Sequence, residues 1–484
     1  MTPAASDPTV LVSPDPTTRS TARMSSLDLV SGVAPALAQI ADFGPPRTEI
    51  GVGALMPYNG ALYVENYTSH RAETGSGVSL RRIDGDFRME EVPEALGVDG
   101  TFTNRLVHFE TGMLVIGPHV IEPDHNVHTV EELARHRLCG TSRHLTRPDS
   151  HVYVLTMEGL VFELELSTRR IALVWDLNDE LLTEGEWKVH YKDCYTAHGR
   201  FVVCSNEYGE DDWAGRQSRG RLAEFDGTVW RIIERKPFTA IAGRGDFTDT
   251  IFATGWDEAS AILEVYTARD DTWTRYRLPK ASHTFDHKWQ TEWPRIRETE
   301  HERFLVDHHG MFYELSPWAY GGRVWGLRPV STHLWVLGDF CSWKGMLVLG
   351  ADNASPSGGK NVTTAEPQSG LWFGKTDDLW GFGRPSGWGG PWWRTRVRAD
   401  EPSDPYLMTG FQEKCLHVEN HGEDAAVVDL EVDVHGDGSF RRSARLAVGP
   451  GELTTHVFPS GFSAHWVRVV SDTATTASAQ LFYT

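Results

Sequence analysis

His190 and Lys192 are the strongest candidates in this sequence for proton transfer and for binding an anion. A single tyrosine separates them, so an imidazole able to accept a proton stands beside an ammonium able to hold an anion. Strand alternation would place both on one face. Arg295 and His309 flank the apolar run 304–306 and offer a second cation and a second imidazole. We predict His190 as a general base, His309 as the alternative base, and Lys192 and Arg295 as anchors for a negatively charged group.

Most members of a second set carry side chains that a tight turn does not require, since turns favour Gly, Asn, Asp and Ser. The set combines a Trp platform with cations, imidazoles and carboxylates, which suits an anionic or polyhydroxylated ligand. Taken singly, a histidine of this set is better explained as a structural residue, but the convergence of several such residues on one predicted rim favours a site for a polar ligand. The residues predicted to bind the ligand are Arg105, His119, Arg143, His144, Glu207, Trp256, Asp257 and Glu292.

Two reactions fit these residue types. With a uronic acid, a cation neutralises the carboxylate, and a neutral His or a Tyr removes the adjacent carbon-bound proton while the glycosidic oxygen leaves. A neutral glycoside would instead need two carboxylates flanking the scissile bond. The first reaction makes the chain a lyase and the second a glycoside hydrolase, while a non-catalytic binding protein is the third alternative.

No cofactor is predicted from the sequence. His119, His309 and a carboxylate could hold a divalent metal ion, but the sequence has neither an HxH nor an HExxH spacing around them. A metal site is therefore the less favoured alternative.

A repeated β-unit must position these residues. Each unit has an apolar strand, a polar turn and a second apolar strand, and units follow one another at intervals of roughly 40–50 residues, as in four-stranded propeller blades. The paired runs are 61–64 with 78–83, 113–116, 152–156 with 160–166, 201–204 with 221–225, 251–254 with 262–266, 304–306 with 311–315, and 346–349 with 371–373. We predict an all-β fold with a seven-bladed propeller, a six-bladed ring being the alternative. The candidate residues would then meet around one axial funnel.

Composition shifts divide the chain into three parts. Residues 1–47 are predicted to be a disordered leader, rich in Pro, Thr and Ser, that ends in a short amphipathic helix over 26–40. Residues 48–400 hold the propeller. The Gly, Pro and Trp-rich run 381–393 precedes a small β-sandwich at 401–484. We expect this sandwich to cover a propeller edge rather than to bind sugar by itself.

Charge and cysteine content limit the partners. A formal net charge of −21 over 484 residues, with Lys and Arg scattered singly, disfavours nucleic acid and anionic membranes. The five cysteines are an odd number without a CxxC pair, which indicates reduced thiols. The N-terminal residues lack the features of a signal peptide, which favours a cytoplasmic protein, although a secreted protein after signal removal would look the same. An oligosaccharide or polysaccharide is the expected partner, and the oligomeric state stays open.

Five segments of the chain carry a resemblance to known proteins: RLPKASHTFD (277–286), TEWPRIRE (291–298), HGMFYEL (309–315), GDFCSWKGMLVLG (338–350) and GFSAHWVRV (461–469). They resemble a bacterial family of large β-propeller proteins that carry a C-terminal β-sandwich and act in glycan breakdown. The resemblance implies an activity similar in kind to that of seven-bladed polysaccharide lyases that remove terminal rhamnose from glucuronic acid. The catalytic residues of those lyases have no position-by-position match here, so the resemblance implies no site residues.

Overall fold

Seven four-stranded antiparallel blades form a closed ring in this chain. The innermost strands contact one another in cyclic order, and the innermost strand of the last blade contacts that of the first. The fold is a seven-bladed β-propeller with a C-terminal β-sandwich, as predicted, and the six-bladed alternative is wrong. The computed structural model describes residues 32–33, 50–68, 80–95, 104–182, 190–207, 219–244, 250–282, 294–317, 326–355 and 366–484.

Each blade runs from an inner strand at the axis to an outer strand at the rim. The first described strand, β1 (Gly32–Val33), belongs to the last blade. Blades 1 to 3 consist of β2 (Ile50–Tyr58), β3 (Ala61–Thr68), β4 (Arg81–Ile83) and β5 (Met89–Glu91); β6 (Arg105–Val107), β7 (Leu114–Ile116), β8 (His119–Ile121) and β9 (Val127–Thr129); and β10 (Leu138–Arg143), β11 (His151–Thr156), β12 (Leu160–Glu165) and β13 (Arg170–Asp176).

The remaining blades follow the same order. Blades 4 to 7 consist of β14 (His190–Ala197), β15 (Arg200–Glu207), β16 (Arg219–Phe225) and β17 (Trp230–Glu234); β18 (Phe238–Gly243), β19 (Thr250–Trp256), β20 (Ala261–Thr267) and β21 (Thr272–Leu278); β22 (Arg295–Glu300), β23 (Arg303–His308), β24 (Met311–Leu315) and β25 (Leu327–Thr332); and β26 (Leu337–Trp343), β27 (Met346–Ser355), β28 (Glu366–Gly374) and β1. The described helices are short: α1 (Leu177–Leu181) and 3-10 turns at Pro93–Ala95, Leu133–Arg135 and Thr376–Gly381.

The apolar runs that predicted the repeat are the second and third strands of the blades. In blade 5 every residue of β19 and of β20 is buried, because neighbouring strands and neighbouring blades cover both strands. Left-handed residue pairs make the tight turns from inner to second strand: Asn59-Gly60 (φ 45° and 85°), His198-Gly199 (53° and 70°) and Lys344-Gly345 (52° and 75°). Such pairs match the twist of a two-residue hairpin.

The strand β1 completes the rim of blade 7. Gly32 lies opposite Phe373 and Val33 opposite Trp372, so a segment from the start of the sequence closes the blade formed by the last three propeller strands. These two residues are strand rather than part of the predicted helix over 26–40, because the edge of β28 offers them backbone partners. The rest of the predicted leader and helix lies outside the described residues.

Deleting residues 1–47 should lower the melting temperature, because the edge of β28 then loses its partner. We expect a loss of about 1–3 kcal/mol, the contribution of roughly two backbone hydrogen bonds. Deleting residues 1–30 keeps β1 and serves as the matched control. Thermal unfolding followed by circular dichroism measures both; equal melting temperatures for the two deletions would show that β1 does not stabilise the ring.

The C-terminal sandwich grows from the rim of blade 5. Its first sheet follows β21 in the order β30 (Tyr406–Leu407), β35 (Trp466–Ser471), β32 (Ala426–Asp433) and β33 (Arg441–Val448), and its second has the order β29 (Gly387–Val397), β36 (Thr475–Tyr483), β31 (Lys414–Asn420) and β34 (Leu453–Val457). One apolar cluster joins these sheets to blades 5 and 6. The sandwich therefore already includes Gly387–Val397, which precedes the predicted boundary at residue 400.

Candidate functional site

Blade 4 brings His190 and Lys192 to the face of the ring on which the inner strands begin, here called the upper face. His190 is the first residue of β14 and lies opposite Asn206. Both His190 and Lys192 are half-buried. Pairing passes from Tyr191 to Asp193 across a β-bulge, so no residue of β15 lies opposite Lys192. His190 and Lys192 are half-buried on either side of the buried Tyr191, and the bulge then changes the register from Asp193 onwards.

The same bulge recurs near the start of the inner strand in four other described blades. It marks a register shift that lets the inner strands bend around the axis. The bulged residues are Gly53, Cys139, Lys192, Thr239 and Gly338. Among these described positions Lys192 is the one with a charged side chain, so forming the bulge does not require a lysine.

Behind Lys192 the inner strands hold a cluster of buried charges. Asp339 has a fully buried side chain and accepts hydrogen bonds from Arg105 Nε at 2.6 Å, Arg297 Nε at 2.8 Å and Leu55 N at 2.8 Å. Burial opposes ionisation, but Arg105 and Arg297 prevail and lower the pKa of Asp339 to about 2. The carboxylate thus stays charged across the neutral range.

Asp193 is the second carboxylate of this cluster. Its oxygens accept from Cys194 N at 2.8 Å and from Ile241 N at 2.9 Å. Burial raises the pKa of Asp193 to about 6, against the attraction of Arg297 and Arg295. Ile241 in blade 5 and Leu55 in blade 1 each lie two residues after a bulge. Asp193 accepts a hydrogen bond from the first and Asp339 from the second, so the two aspartates bind the following blade in equivalent ways.

Arg295 lies at the start of β22 and is 2% exposed. Its Nε donates to Gly338 O at 2.7 Å and its Nη1 to Pro294 O at 2.7 Å. Burial and the nearby Arg297 lower the pKa of Arg295 to about 10, so the guanidinium stays charged at neutral pH. The predicted anchor is thus part of a packed cluster. We call Arg105, Asp193, Arg295, Arg297 and Asp339 the axial charge network.

Trp256, Asp257 and His309 come together at the upper junction of blades 5 and 6. The Trp256 and His309 rings are 5.6 Å apart, and His309 is fully buried with φ 48° in the turn after β23. Asp257 binds Arg277 at 2.9 and 3.0 Å and Lys236 at 2.8 Å. Burial opposes this ionisation, but the charges of Arg277 and Lys236 lower the pKa of Asp257. Asp257 is therefore held by ion pairs within blade 5 and with the segment that leads into it.

Arg143 and His144 lie on the lower face, because Arg143 ends the inner strand β10. They do not share the face of His190 and Lys192, so the prediction that all the candidate residues meet around one funnel is wrong for these two. The His144 ring stacks on Tyr153 at 4.3 Å, and its Nδ1 accepts from Thr146 N and Arg147 N at 3.1 and 3.0 Å. Burial lowers the pKa of His144. A structural turn accounts for this histidine.

His119 lies on the third strand of blade 2, where β6 and β7 separate it from the axis. It is fully buried and its Nδ1 is 3.0 Å from Thr129 Oγ1 in the same blade. The prediction that His119 lines the axial funnel is therefore wrong. Glu207 ends β15 on the upper face, its side chain being undescribed, and Glu292 lies outside the described residues.

Asp193, Arg297 and Asp339 were not among the residues predicted from the sequence. A signal was present: Lys192-Asp193 and Gly338-Asp339 each precede a turn glycine by the same number of residues, Gly199 and Gly345. Aligning the blades on these glycines would have identified the two aspartates as equivalent.

Within the described ranges, no group of three or more His, Cys, Asp or Glu side chains is arranged so that it could hold a metal ion. His119 and His309, the proposed metal ligands, belong to blades 2 and 6. No helix in this part of the chain is long and apolar enough to cross a bilayer.

The strand order defines the class of protein: a seven-bladed β-propeller with a C-terminal β-sandwich. No family model and no curated protein matches the sequence. Similar solved structures include the WD40 repeats of RRP9 (TM-score 0.38, 8% identity, 69% of this chain and 99% of that chain) and a Trypanosoma rangeli sialidase with 2,3-difluorosialic acid (0.37, 8%, 94% and 95%). A third is the nidogen/laminin complex (0.31, 11%, 62% and 84%). Likeness at this level concerns the fold and assigns no activity.

Proposed function

We propose that this chain is a carbohydrate-active enzyme that binds a uronic-acid-containing glycan at the upper end of the propeller axis and cleaves it by β-elimination. The observation that carries the proposal is Lys192, a cation on a bulge that is built elsewhere with Gly, Cys or Thr, two residues after an imidazole. The sequence resemblance to glycan-degrading propellers points the same way.

In this mechanism Lys192 holds the substrate carboxylate, and the guanidinium of Arg295 adds positive potential from below. Neutralising the carboxylate acidifies the adjacent carbon, so His190 can remove its proton. The electron pair of that bond forms the new carbon–carbon double bond. The glycosidic oxygen leaves with its own bonding pair and acquires a proton, so the products together have the mass of the substrate.

A panel of uronic-acid and neutral oligosaccharides analysed by mass spectrometry tests the proposal. We expect an unsaturated uronate product with ultraviolet absorbance and no uptake of water. Binding without turnover would instead indicate the non-catalytic alternative, and inertness towards every uronate glycan would remove the support for elimination.

A glycoside hydrolase is the second candidate, favoured by the two axial carboxylates. The pKa of Asp193 is raised to about 6 by burial, whereas that of Asp339 is lowered to about 2 by its arginines despite burial. Two carboxyls with divergent pKa values are what an acid and its charged partner require. Hydrolysis adds the mass of one water to the products, so the same mass spectra distinguish the two reactions.

Replacing Lys192 with threonine should abolish most activity without unfolding the ring. Thr239 already occupies the equivalent bulge in blade 5, so threonine fits this backbone. Losing the anchor removes a charge-assisted contact, and we expect kcat/KM on a uronate glycan to fall by about tenfold or more. Steady-state kinetics and the melting temperature are measured together; a Lys192→Thr protein that melts much earlier would show that the lysine is structural.

A further inference from the structure

A separate cavity of about 280 Å³ lies in the lower half of the propeller axis. Its walls come from the inner strands of blades 2 to 6, with Arg143 and Gly243 at strand ends on the lower face. The proposed elimination uses residues at the opposite ends of these strands. The volume is slightly below the range of drug-sized pockets, which fits one small molecule.

Part of the lining of this lower axial cavity is cationic. Arg105 and Arg297 both line it and both bind Asp339, so two guanidiniums share one carboxylate. Their side chains are 13% and 14% exposed, and a charge held at such depth interacts strongly with an anion. Arg143 adds a third guanidinium at the mouth, where it also pairs with Glu110.

The rest of the lining offers hydroxyl groups and carboxylates. Ser142 Oγ and Thr196 Oγ1 lie 3.0 Å apart, and Asp193 lines the cavity beside them. Glu298 also lines it, with its carboxylate 3.4 Å from Arg244 Nε. Groups of this kind bind ligand hydroxyls, because each hydroxyl can both donate and accept a hydrogen bond.

We propose that the lower axial cavity binds a small hydroxy acid of the size of one sugar acid. Its carboxylate lies towards Arg105, Arg297 and Arg143, and its hydroxyls towards Asp193, Ser142 and Thr196. A bare inorganic anion matches only the cationic groups of the lining, and a neutral sugar matches only its hydroxyl groups and carboxylates. The proposal concerns a cavity distinct from the elimination site and does not depend on that reaction.

Titration calorimetry with D-glucuronate, D-glucose and inorganic phosphate tests this inference on the full chain. We expect glucuronate to bind more tightly than either of the others. Arg143→Gln should weaken its binding by about tenfold, the effect of one charge-assisted hydrogen bond. The matched control is Arg147→Gln, since Arg143 and Arg147 are both 45% exposed and each pairs with one glutamate, but Arg143 alone of the two lines the cavity.

Two further variants keep the outcome decisive. Thr196→Val should weaken glucuronate binding with little change in side-chain volume, which covers the case in which Arg143→Gln destabilises the protein. Lys192→Thr removes the anchor for a uronate at the upper face, so the glucuronate binding that remains in this variant is that of the lower axial cavity. Failure of the proposed elimination and failure of this site are therefore distinguishable. Equal affinity for phosphate and glucuronate, or equal losses in Arg143→Gln and Arg147→Gln, would overturn the proposal.

Discussion

His190→Ala should lower the turnover of a uronate-containing glycan by about two to four orders of magnitude, the usual range for a lost general base. His190 begins the inner strand of blade 4 and is half-buried, so its removal leaves the core of that blade intact. The KM should change little, because the anchor at Lys192 remains. Initial rates from the absorbance of the unsaturated product measure the effect.

The matched control is His128→Ala, on the rim strand β9 of blade 2, with a side chain 29% exposed. Its activity should equal that of the parent protein. If His190→Ala retained full activity, a residue other than His190 would be the general base. His309, the alternative base, is fully buried at the junction of blades 5 and 6, on the same face of the ring but two blades from His190. A His309→Ala variant then decides whether it reaches the substrate.

The second and third strands of each blade could be predicted because they are buried and therefore rich in apolar residues. Strands covered on both faces contain apolar runs such as IFAT in β19 and LVFEL in β12, and Gly or Asp turns bound them. The resulting spacing was enough to predict seven blades. The sandwich strands were predictable for the same reason, since apolar and polar residues alternate along β31 and β32.

The inner strands were harder to predict, because they carry charges into the interior. Arg295 and Arg297 in β22, and Asp339 in β26, are polar residues that resemble a turn when each strand is considered alone. They are buried because residues from three different blades satisfy one another around the axis. Such compensation depends on ring closure, and hydrophobic periodicity does not report it.

Arg143 and His144 show that the positions of loop residues are also hard to predict from the sequence. Their residue types do not show on which face of the ring they lie, whereas in the structure β10 ends at Arg143 and the chain then turns to β11. The role of His144 depends on the Tyr153 ring and on two backbone amides of its own turn. The direction in which each strand crosses the ring depends on the order of the strands. The face on which a loop residue lies therefore follows from that order and not from the type of residue.

Asp339→Asn should cost about 3–5 kcal/mol of stability, the usual effect of removing one partner from a buried ion pair. Asparagine can still accept a hydrogen bond from the Leu55 amide, but Arg105 and Arg297, which are mostly buried, then lose the negative charge that they share. The midpoint of urea unfolding, taken in phosphate-free buffer, measures the loss. The matched control is Asp429→Asn, since Asp429 also binds two arginines, Arg442 and Arg445, which are 54% and 59% exposed.

The control should lose no more than about 1 kcal/mol, because solvent screens exposed pairs. The pKa of Asp339 also predicts how the stability of the parent protein depends on pH. The folded pKa of Asp339 is about 2, below its ordinary value of 3.8, so its stabilisation is present above pH 3.8 and is lost as the pH falls towards 2. Asp339→Asn should therefore flatten the acid limb of the stability profile between these values. A loss as small as that of Asp429→Asn, with an unchanged acid limb, would mean that Asp339 does not hold the axial guanidiniums in place.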